Sequence, residues 1–600
     1  MKKLGYFGII SLLCITIFAS CSNNFELSRR QAESPTAPAA RSNTPYGSYL
    51  AGRVAHLRRD FNTASDYYIK SLKADPSNKG LMTSVYLLLV SKGRVAEAAE
   101  YARLALANGD TNNFVYIIIS TEQMKQQDYQ GVIQTLSQMN APIYKDFINP
   151  LVGAWAYAGL NDQEKAFRTL NKISHDPSFK ALYYFHAGML NDYFGNTAEA
   201  EKNYNYIAGE ESVEMSFRAL QIIANFYLRN NQKEKAEELV QRYSQEKLLS
   251  DMLNQLEQNI AKADPKKTKP IVDNPNIGMS EALFSIAATL RQGVASIDLA
   301  HMFISLSIYA NPHYDLAKML LADILESREM YADANEIYET IDKSSETYNT
   351  IQLRLANNYV MMEDYASAEL LLKSLALDNP DNFQLYLDLG DILRLKNEQN
   401  EAIKYYEEAI EKLPQVENQH WVLFYALGIS YERSEQWDKA EKAFIKALEL
   451  SQNHYLVLNY LGYSWLKSGK NVEQAFGMIV DAYNQAPQDG NIADSLGWAL
   501  YRLGYYNEAV TYLEKAAELE PANAVINEHL GDAYWFAGRR NEAGFQWKHA
   551  LTMKDDSGEM SIKNVKNKIA SGIAEHPTLS FDKKVIDEKI SEISQETPQD

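Results

Sequence analysis

Side chains that could perform catalysis are scattered along this 600-residue chain and form no recognised reactive pattern. The ten histidines include no pair at metal-ligand spacing, and no HExxH sequence occurs. There is no GxSxG segment to present a nucleophile and no GxxxxGK[ST] or GxGxxG segment to bind phosphate. Carboxylates are abundant, but on helical surfaces most of them are simply solvated. The sequence therefore predicts a protein that is not an enzyme, with no metal site and no cofactor.

One cysteine has a setting that suggests covalent modification. Lys2 and Lys3 precede a largely apolar stretch, residues 4–18, and small residues follow it, which is typical of a secretory signal peptide. The apolar stretch is short for a membrane-spanning helix. The tetrapeptide FASC that ends at Cys21 resembles the lipobox of bacterial lipoproteins, in which the chain is cut before the cysteine and the cysteine is acylated. This resemblance implies a signal peptide at 1–20 and lipidation of Cys21; the alternative is an ordinary signal peptide that contains a cysteine.

Composition narrows the class of protein further. The net charge of −19 offers no basic face for nucleic acid, so we predict no nucleic-acid partner. Two cysteines cannot build a disulfide framework or a four-cysteine zinc site. A hydrophobic content of 46% is enough for a packed core, and the small numbers of glycine and proline favour long helices joined by brief turns.

A repeat of about 34 residues organises the chain from residue 45 onward. Each repeat contains two small residues about twelve positions apart, and the first of them is, for example, Gly428, Gly497 or Gly531. The later one lies four positions before an aromatic or aliphatic residue, and it occurs fourteen times. Thirteen of the fourteen occurrences are alanine, with Val132 as the exception; the alanines are Ala64, Ala98, Ala166, Ala200, Ala236, Ala300, Ala334, Ala368, Ala402, Ala440, Ala475, Ala509 and Ala543. We expect each repeat to form two helices, A and B, that cross at these two small residues.

The repeat resembles the tetratricopeptide repeat, a 34-residue helix–turn–helix unit. Gly428 and Ala440 match its pattern together with the larger residues Trp421, Leu427, Tyr431 and Phe444. The strings LNYLGYSWL, DSLGWALYRLGYYNEAV and HLGDAYWFAGRRNEA further resemble a proteobacterial tetratricopeptide lipoprotein family. The resemblance implies an all-α superhelical solenoid of about fourteen repeats.

The repeats are predicted to fall into two runs, 45–250 and 281–557. A flexible tether is predicted at 21–44. The segment 251–280 is predicted to form a helix followed by a linker rich in proline and lysine. Residues 558–600 are predicted to form a capping helix and an acidic tail.

In the tetratricopeptide family the A helices line the concave face of the solenoid, so the resemblance places a partner-binding groove on the last three repeats. Aromatic side chains beside acids and amides would suit an extended peptide or a helix. The predicted groove residues are Asn459, Tyr463, Asn491, Asp494, Trp498, Tyr501, Glu528, Asp532 and Trp535. A second interpretation is that Trp498 and Trp535 only pack against neighbouring helices.

These features together predict a non-catalytic scaffold in the bacterial cell envelope, anchored to the outer membrane through Cys21. Its partners would be other envelope proteins or peptides. A narrower alternative is a pilotin-like assembly factor for a pilus or secretion system, which shares the repeat and the anchor. An alternative of another class is a glycan-binding surface lipoprotein, in which tryptophans such as Trp498 and Trp535 would stack on sugar rings.

Overall fold

A computed structural model describes residues 44–209, 215–246, 251–291, 296–555, 560–574 and 579–596. These residues contain helices and no strand, so the structure confirms the predicted all-α solenoid. Within the same residues no helix is long and apolar enough to cross a membrane. The predicted signal peptide, Cys21 and almost all of the predicted tether lie outside the described residues.

The chain divides into two compact units, and the first ends at Leu372. Antiparallel helix pairs follow one another along it, with α13 standing between the sixth pair and the seventh. The helices up to the unit boundary are α1 (Pro45–Leu57), α2 (Phe61–Leu72), α3 (Lys79–Ser91), α4 (Val95–Ala107), α5 (Phe114–Lys125), α6 (Tyr129–Leu136), α7 (Asn149–Gly159), α8 (Gln163–Leu170), α9 (Lys180–Tyr193), α10 (Thr197–Gly209), α11 (Phe217–Arg229), α12 (Lys233–Glu246), α13 (Asp251–Lys262), α14 (Pro275–Arg291), α15 (Ile297–Ala310), α16 (Asp315–Glu326), α17 (Tyr331–Tyr338), α18 (Tyr348–Met361) and α19 (Tyr365–Asp378).

The second compact unit begins at Lys373, inside α19. It contains five further helix pairs and two helices that follow the last repeat. These helices are α20 (Phe383–Leu395), α21 (Gln399–Glu411), α22 (Trp421–Arg433), α23 (Trp437–Ser451), α24 (Tyr455–Ser468), α25 (Val472–Gln485), α26 (Gly490–Arg502), α27 (Tyr506–Leu519), α28 (Ala524–Phe536), α29 (Arg540–Ala550), α30 (Ile562–Ser571) and α31 (Lys583–Glu596).

The small residues of the repeat lie where the A and B helices cross. At Gly531 an added Cβ would come within 2.5 Å of the Trp547 ring, and at Gly390 it would come equally close to the Tyr406 ring. Each of these rings lies four positions after the recurring alanine of its repeat. These two alanines, Ala402 and Ala543, are fully buried. The crossing therefore has room for a ring on helix B only because helix A carries no side chain there.

Enlarging the alanine at a crossing should destabilise the repeat. Ala509 is fully buried between α26 and α27, so Ala509→Leu adds three carbon atoms to a packed contact. We expect it to lower the free energy of unfolding by about 1–3 kcal/mol. The control is the exposed neighbouring change Glu508→Gln, which should alter it by less than about 0.5 kcal/mol. Equal thermal melting of the two variants would show that the repeat register is wrong.

The first compact unit includes helices on both sides of the segment 251–280. Helices α14 and α15, which were assigned to the start of the second run, pack against the A helices of the first run. An added Cβ at Gly278 on α14 would lie 2.1 Å from the Trp155 ring on α7, and the Phe303 ring on α15 lies 5.4 Å from that of Phe114 on α5. The segment 251–280 therefore lies inside the first unit, and the boundary between the units comes about 90 residues after it.

Candidate functional site

A cavity of about 280 Å³ lies in the second unit, among the A helices α22, α24, α26 and α28. Its lining mixes carboxylates, amides, tyrosines and one lysine with the aliphatic start of α28. The lining residues are Glu432, Asn459, Tyr460, Tyr463, Ser464, Lys467, Asn491, Asp494, Ser495, Asn523, Val525 and Ile526. Its small volume and its position across successive repeats suit a few side chains of an extended peptide better than a folded domain.

Two helix caps fix the backbone at one end of the cavity. Asn523 caps the N-terminus of α28, accepting hydrogen bonds from the backbone N–H groups of Val525 and Ile526 at 3.0 and 3.3 Å. Asp489 caps α26 in the same way. These caps fix the first turns of two neighbouring A helices, and those turns form one end of the cavity.

A row of neighbouring, mutually tilted rings borders the cavity and continues away from it. The Tyr463 and Trp498 rings lie 4.6 Å apart, and the Trp498 and His529 rings lie 6.0 Å apart. The Arg502 guanidinium lies over the Trp498 ring at 4.9 Å, and the Trp498 side chain is only 8% exposed. Trp498 thus joins three consecutive A helices, which agrees with its interpretation as a packing residue.

Asp494 is paired with a histidine and is not a free acceptor. Both of its carboxylate oxygens lie 3.0 Å from Nδ1 of His529, on the next A helix. Burial lowers the pKa of the His529 imidazole, but the Asp494 carboxylate, helped by Asp532 and Glu528, outweighs it and holds the pKa above its usual value. The pair therefore carries opposite charges under mildly acidic conditions and joins α26 to α28.

The pair makes stability depend on pH in a defined direction. Because the pKa of His529 is raised by folding, its stabilising charge is fully present below about pH 6.5 and is lost as the pH rises through the folded value. We expect Asp494→Asn to lower the pKa of His529 in an NMR titration and to destabilise the unit more at pH 6 than at pH 9. The exposed control Asp381→Asn should change neither quantity. An unchanged His529 titration in Asp494→Asn would contradict the pairing.

One buried polar atom at the cavity has no partner among the residues that the structure describes. Oδ1 of Asn459 is shielded from solvent and accepts no hydrogen bond there. Asn459 also lines the cavity, midway between Glu432 and Asn491 along the row of A helices. A buried acceptor without a donor costs free energy, so a ligand N–H placed at Asn459 would gain more than an ordinary surface hydrogen bond.

The other end of the predicted groove is covered by the chain itself. Nζ of Lys568, on α30, lies 2.7 Å from Oε1 of Glu528 and 2.6 Å from Oδ2 of Asp532. Asp532 also accepts a hydrogen bond from Nε1 of Trp547 at 2.8 Å. The side chains of both residues are only 12% exposed. They were expected to bind a partner, but both already form ion pairs with Lys568.

The two remaining aromatic residues of the predicted groove are also engaged. Nε1 of Trp535 donates a hydrogen bond to the carbonyl oxygen of Ile573 at 3.0 Å, and the Arg540 guanidinium lies 5.0 Å from its ring centroid. Tyr501 is 8% exposed, and its ring lies 6.0 Å from that of Phe536. Neither Trp498 nor Trp535 presents an open platform for a sugar ring, which removes the main feature behind the glycan-binding alternative.

The structure therefore brings only part of the predicted groove together around one cavity. Four of the nine residues line it: Asn459, Tyr463, Asn491 and Asp494. The predicted groove did not include His529 or Lys568, which pair with three of its carboxylates. Lys568 follows the last repeat, where the period gives no signal. Across the described segments no group of three or more His, Cys, Asp or Glu residues is placed to hold a metal ion.

Family models for the tetratricopeptide repeat match the chain over residues 353–417, 425–489 and 492–523. These models describe repeat units and no catalytic family. The matched ranges include the lining of the cavity except Asn491, Val525 and Ile526, and they include Tyr463 and Trp498 of the row of rings but not His529.

Characterised relatives share the repeats over shorter stretches. A TPR repeat-containing protein of Pseudomonas aeruginosa is 26% identical over 219 residues, 36% of this chain and 36% of its own length. Anaphase-promoting complex subunit 3 of Schizosaccharomyces pombe is 22% identical over 205 residues, 34% of this chain and 29% of its own. The chain thus spans about a third of the length of these relatives. Among solved structures, the Cut9–Hcn1 hetero-tetramer of APC/C covers 89% of this chain and 97% of its own at 13% identity, with a TM-score of 0.36.

Proposed function

Because the chain contains tetratricopeptide repeats, a fold of protein–protein interaction scaffolds, we propose that it is a non-catalytic scaffold of the bacterial envelope. In this proposal it is anchored to the outer membrane by a lipid on Cys21 and binds other envelope proteins in the cavity of the second unit. The observation that carries the binding proposal is Asn459, which lines the cavity and whose buried Oδ1 has no donor among the described residues. The anchor is supported by the sequence around Cys21.

The chemistry of the cavity defines the partner that we propose. An extended peptide backbone supplies an N–H for Asn459, and the exposed Asn491 at the rim offers both a donor and an acceptor. The aliphatic side chains of Val525 and Ile526 and the Tyr463 ring supply apolar contacts. The acidic residues farther along already have ion-pair partners within the chain, so the partner needs apolar and amide groups more than positive charge.

Site-specific crosslinking tests this binding site. A photo-crosslinking residue at position Asn491 should give a discrete adduct with an envelope protein in intact cells, and the same residue at the exposed position Asn507, on α27, should not. Asn459→Leu removes the unpaired acceptor and should reduce the adduct at least fivefold, since a ligand hydrogen bond of about 1 kcal/mol or more is lost. Equal adducts from Asn491 and Asn507, or an unchanged adduct in Asn459→Leu, would place binding elsewhere. If the crosslinked protein is a secretin, the narrower pilotin-like role gains support.

The lipid anchor is tested independently of the partner. Cys21→Ser should move the protein from the membrane fraction to the soluble envelope fraction, because acyl chains supply most of the membrane affinity of a lipoprotein. Cys14→Ser, within the predicted signal peptide, is the matched control and should leave the distribution unchanged. If Cys21→Ser still floats with membranes to the same extent as the wild type, the lipoprotein hypothesis loses its main support.

A further inference from the structure

The first helix of the fold carries an exposed apolar face. Tyr46, Leu50, Val54 and Leu57 follow one another on α1 at spacings of three or four residues, and Tyr49 lies three residues after Tyr46, so all five share one side of the helix. Their exposed fractions are 85%, 41%, 60%, 48% and 77%. We name these five residues the α1 apolar face. The described part of the chain exposes seventeen large hydrophobic residues, and five of them lie in this stretch of twelve residues.

The opposite side of α1 fixes the orientation of this face. Ser48, Gly52 and Ala55 are buried, and an added Cβ at Gly52 would come within 2.6 Å of the Tyr68 ring on α2. Helix α1 therefore cannot rotate to bury its apolar face against α2. Contiguous apolar side chains that a fold holds outward in this way mark an interaction surface.

The charge around α1 differs from that of the rest of the molecule. The chain carries a net charge of −19, but residues 34–59 contain four arginines and no Asp or Glu. Arg53 lies within the exposed face, and Arg58 follows the helix with its side chain exposed. Arg59 donates a hydrogen bond to the backbone carbonyl of Arg328. Because a carbonyl carries no charge, the positive charge of Arg59 remains at the same end of the unit as α1.

An apolar stripe flanked by arginines is the pattern of helices that lie in the headgroup region of a membrane. Long arginine side chains reach the phosphates while their stems and the neighbouring aliphatic side chains contact acyl chains, and tyrosine favours the same depth. A second copy of the chain fits less well, because two such faces would bring like charges together. The positive charge complements an anionic lipid surface.

We propose that the α1 apolar face lies on the surface of a membrane that contains anionic lipids and holds the first compact unit against it. The inference builds on the proposed lipid anchor, because only 22 residues separate Cys21 from Thr44 at the start of the described chain. Even a fully extended chain of that length spans roughly 75 Å. The anchor would supply affinity, and the α1 apolar face would set which side of the unit meets the lipid.

Vesicle flotation tests the proposal without the anchor. A protein that begins at Ser22 keeps every residue that the structure describes and has no Cys21. We expect it to float with vesicles of phosphatidylethanolamine and phosphatidylglycerol and not with phosphatidylcholine vesicles. Leu50→Glu with Leu57→Glu should reduce flotation roughly tenfold or more, because two carboxylates replace apolar contact and repel the lipid phosphates. The matched control, Leu370→Glu with Leu377→Glu, changes two leucines that are 73% and 84% exposed on α19, and it should float like the parent protein.

The arginines provide a second, independent measurement. Arg53→Gln with Arg58→Gln should weaken binding roughly fivefold for each charge removed and should flatten its dependence on salt. Circular dichroism and thermal melting of each variant check that the fold is retained. The proposal would be overturned if the parent protein did not float, or if the two double leucine variants lost flotation to the same extent. A concentration-dependent dimer that Leu50→Glu with Leu57→Glu abolishes, without vesicle binding, would assign the face to a second copy instead. Failure here leaves the fractionation of Cys21→Ser unaffected, so the two proposals fail separately.

Discussion

Glu281→Gln is expected to lower the free energy of unfolding of the first compact unit by about 3–5 kcal/mol. Glu281, on α14, is fully buried, and it accepts hydrogen bonds from Nε of Arg218 on α11 at 3.0 Å and from Oη of Tyr314 at 2.6 Å. The Arg218 guanidinium also lies 4.4 Å from the centroid of the Tyr314 ring. Glutamine keeps the size of the side chain but leaves the buried arginine without a counter-charge, and that loss accounts for the large effect.

Two controls separate this effect from the general cost of removing a carboxylate. Glu199→Gln breaks an ion pair with Lys202 in which both side chains are more than half exposed, and it should cost less than about 1 kcal/mol. Arg218→Met with Glu281→Met removes both charges together and should recover much of the loss, since apolar replacement of a buried pair is often close to neutral. Denaturant unfolding measures all three variants. A cost for Glu281→Gln no greater than that of Glu199→Gln would contradict the structural role of the pair.

The sequence predicted the repeating unit well because its signal is local. Alanine and a second small residue recur at the spacing that two crossing helices require, and the structure places a ring or a branched side chain against Gly390, Gly497 and Gly531 as that geometry demands. The described residues contain fourteen helix pairs, in agreement with the predicted number of about fourteen repeats. The turn between the two helices of a pair was harder to predict from the sequence. It needs one residue with positive φ, but that residue is Glu435 in one repeat and Gly504 in another, so composition alone does not mark it.

Contacts between distant parts of the chain could not be predicted from the period. Arg218 and Glu281 are 63 residues apart, on either side of a segment whose prolines and lysines are typical of a linker. Only the packing of α14 against α7 and α11 shows that this segment returns the chain to the first run. The same limit applies to the groove. The repeat register selects positions along the A helices, but it could not show that α30 covers Glu528 and Asp532.

The segment after the last repeat gives the second large expected effect. Lys568→Glu should release α30 from the last A helix, because it places a third carboxylate beside Glu528 and Asp532, which are 9% and 8% exposed. Burial already raises the pKa of Asp532 against the opposing effect of Lys568, so removing that cation makes the charged form costlier still. Losing the partner of a buried charge costs about 3–5 kcal/mol, which corresponds to at least a hundredfold faster amide exchange in α30.

Hydrogen exchange of residues 562–571 measures this release directly. Lys563→Glu makes the same charge change on an exposed position of the same helix and should leave the exchange rates nearly unchanged. If α30 departs, the contact of Ile573 with Trp535 should break as well, and the Trp535 indole N–H should exchange faster. Slow exchange of α30 in Lys568→Glu would show that Val565, which is fully buried, holds the segment without help from the ion pairs. Release would instead uncover Glu528, Asp532 and Trp535, three of the nine residues predicted to bind a partner, and would extend the open groove from the cavity to the last repeat.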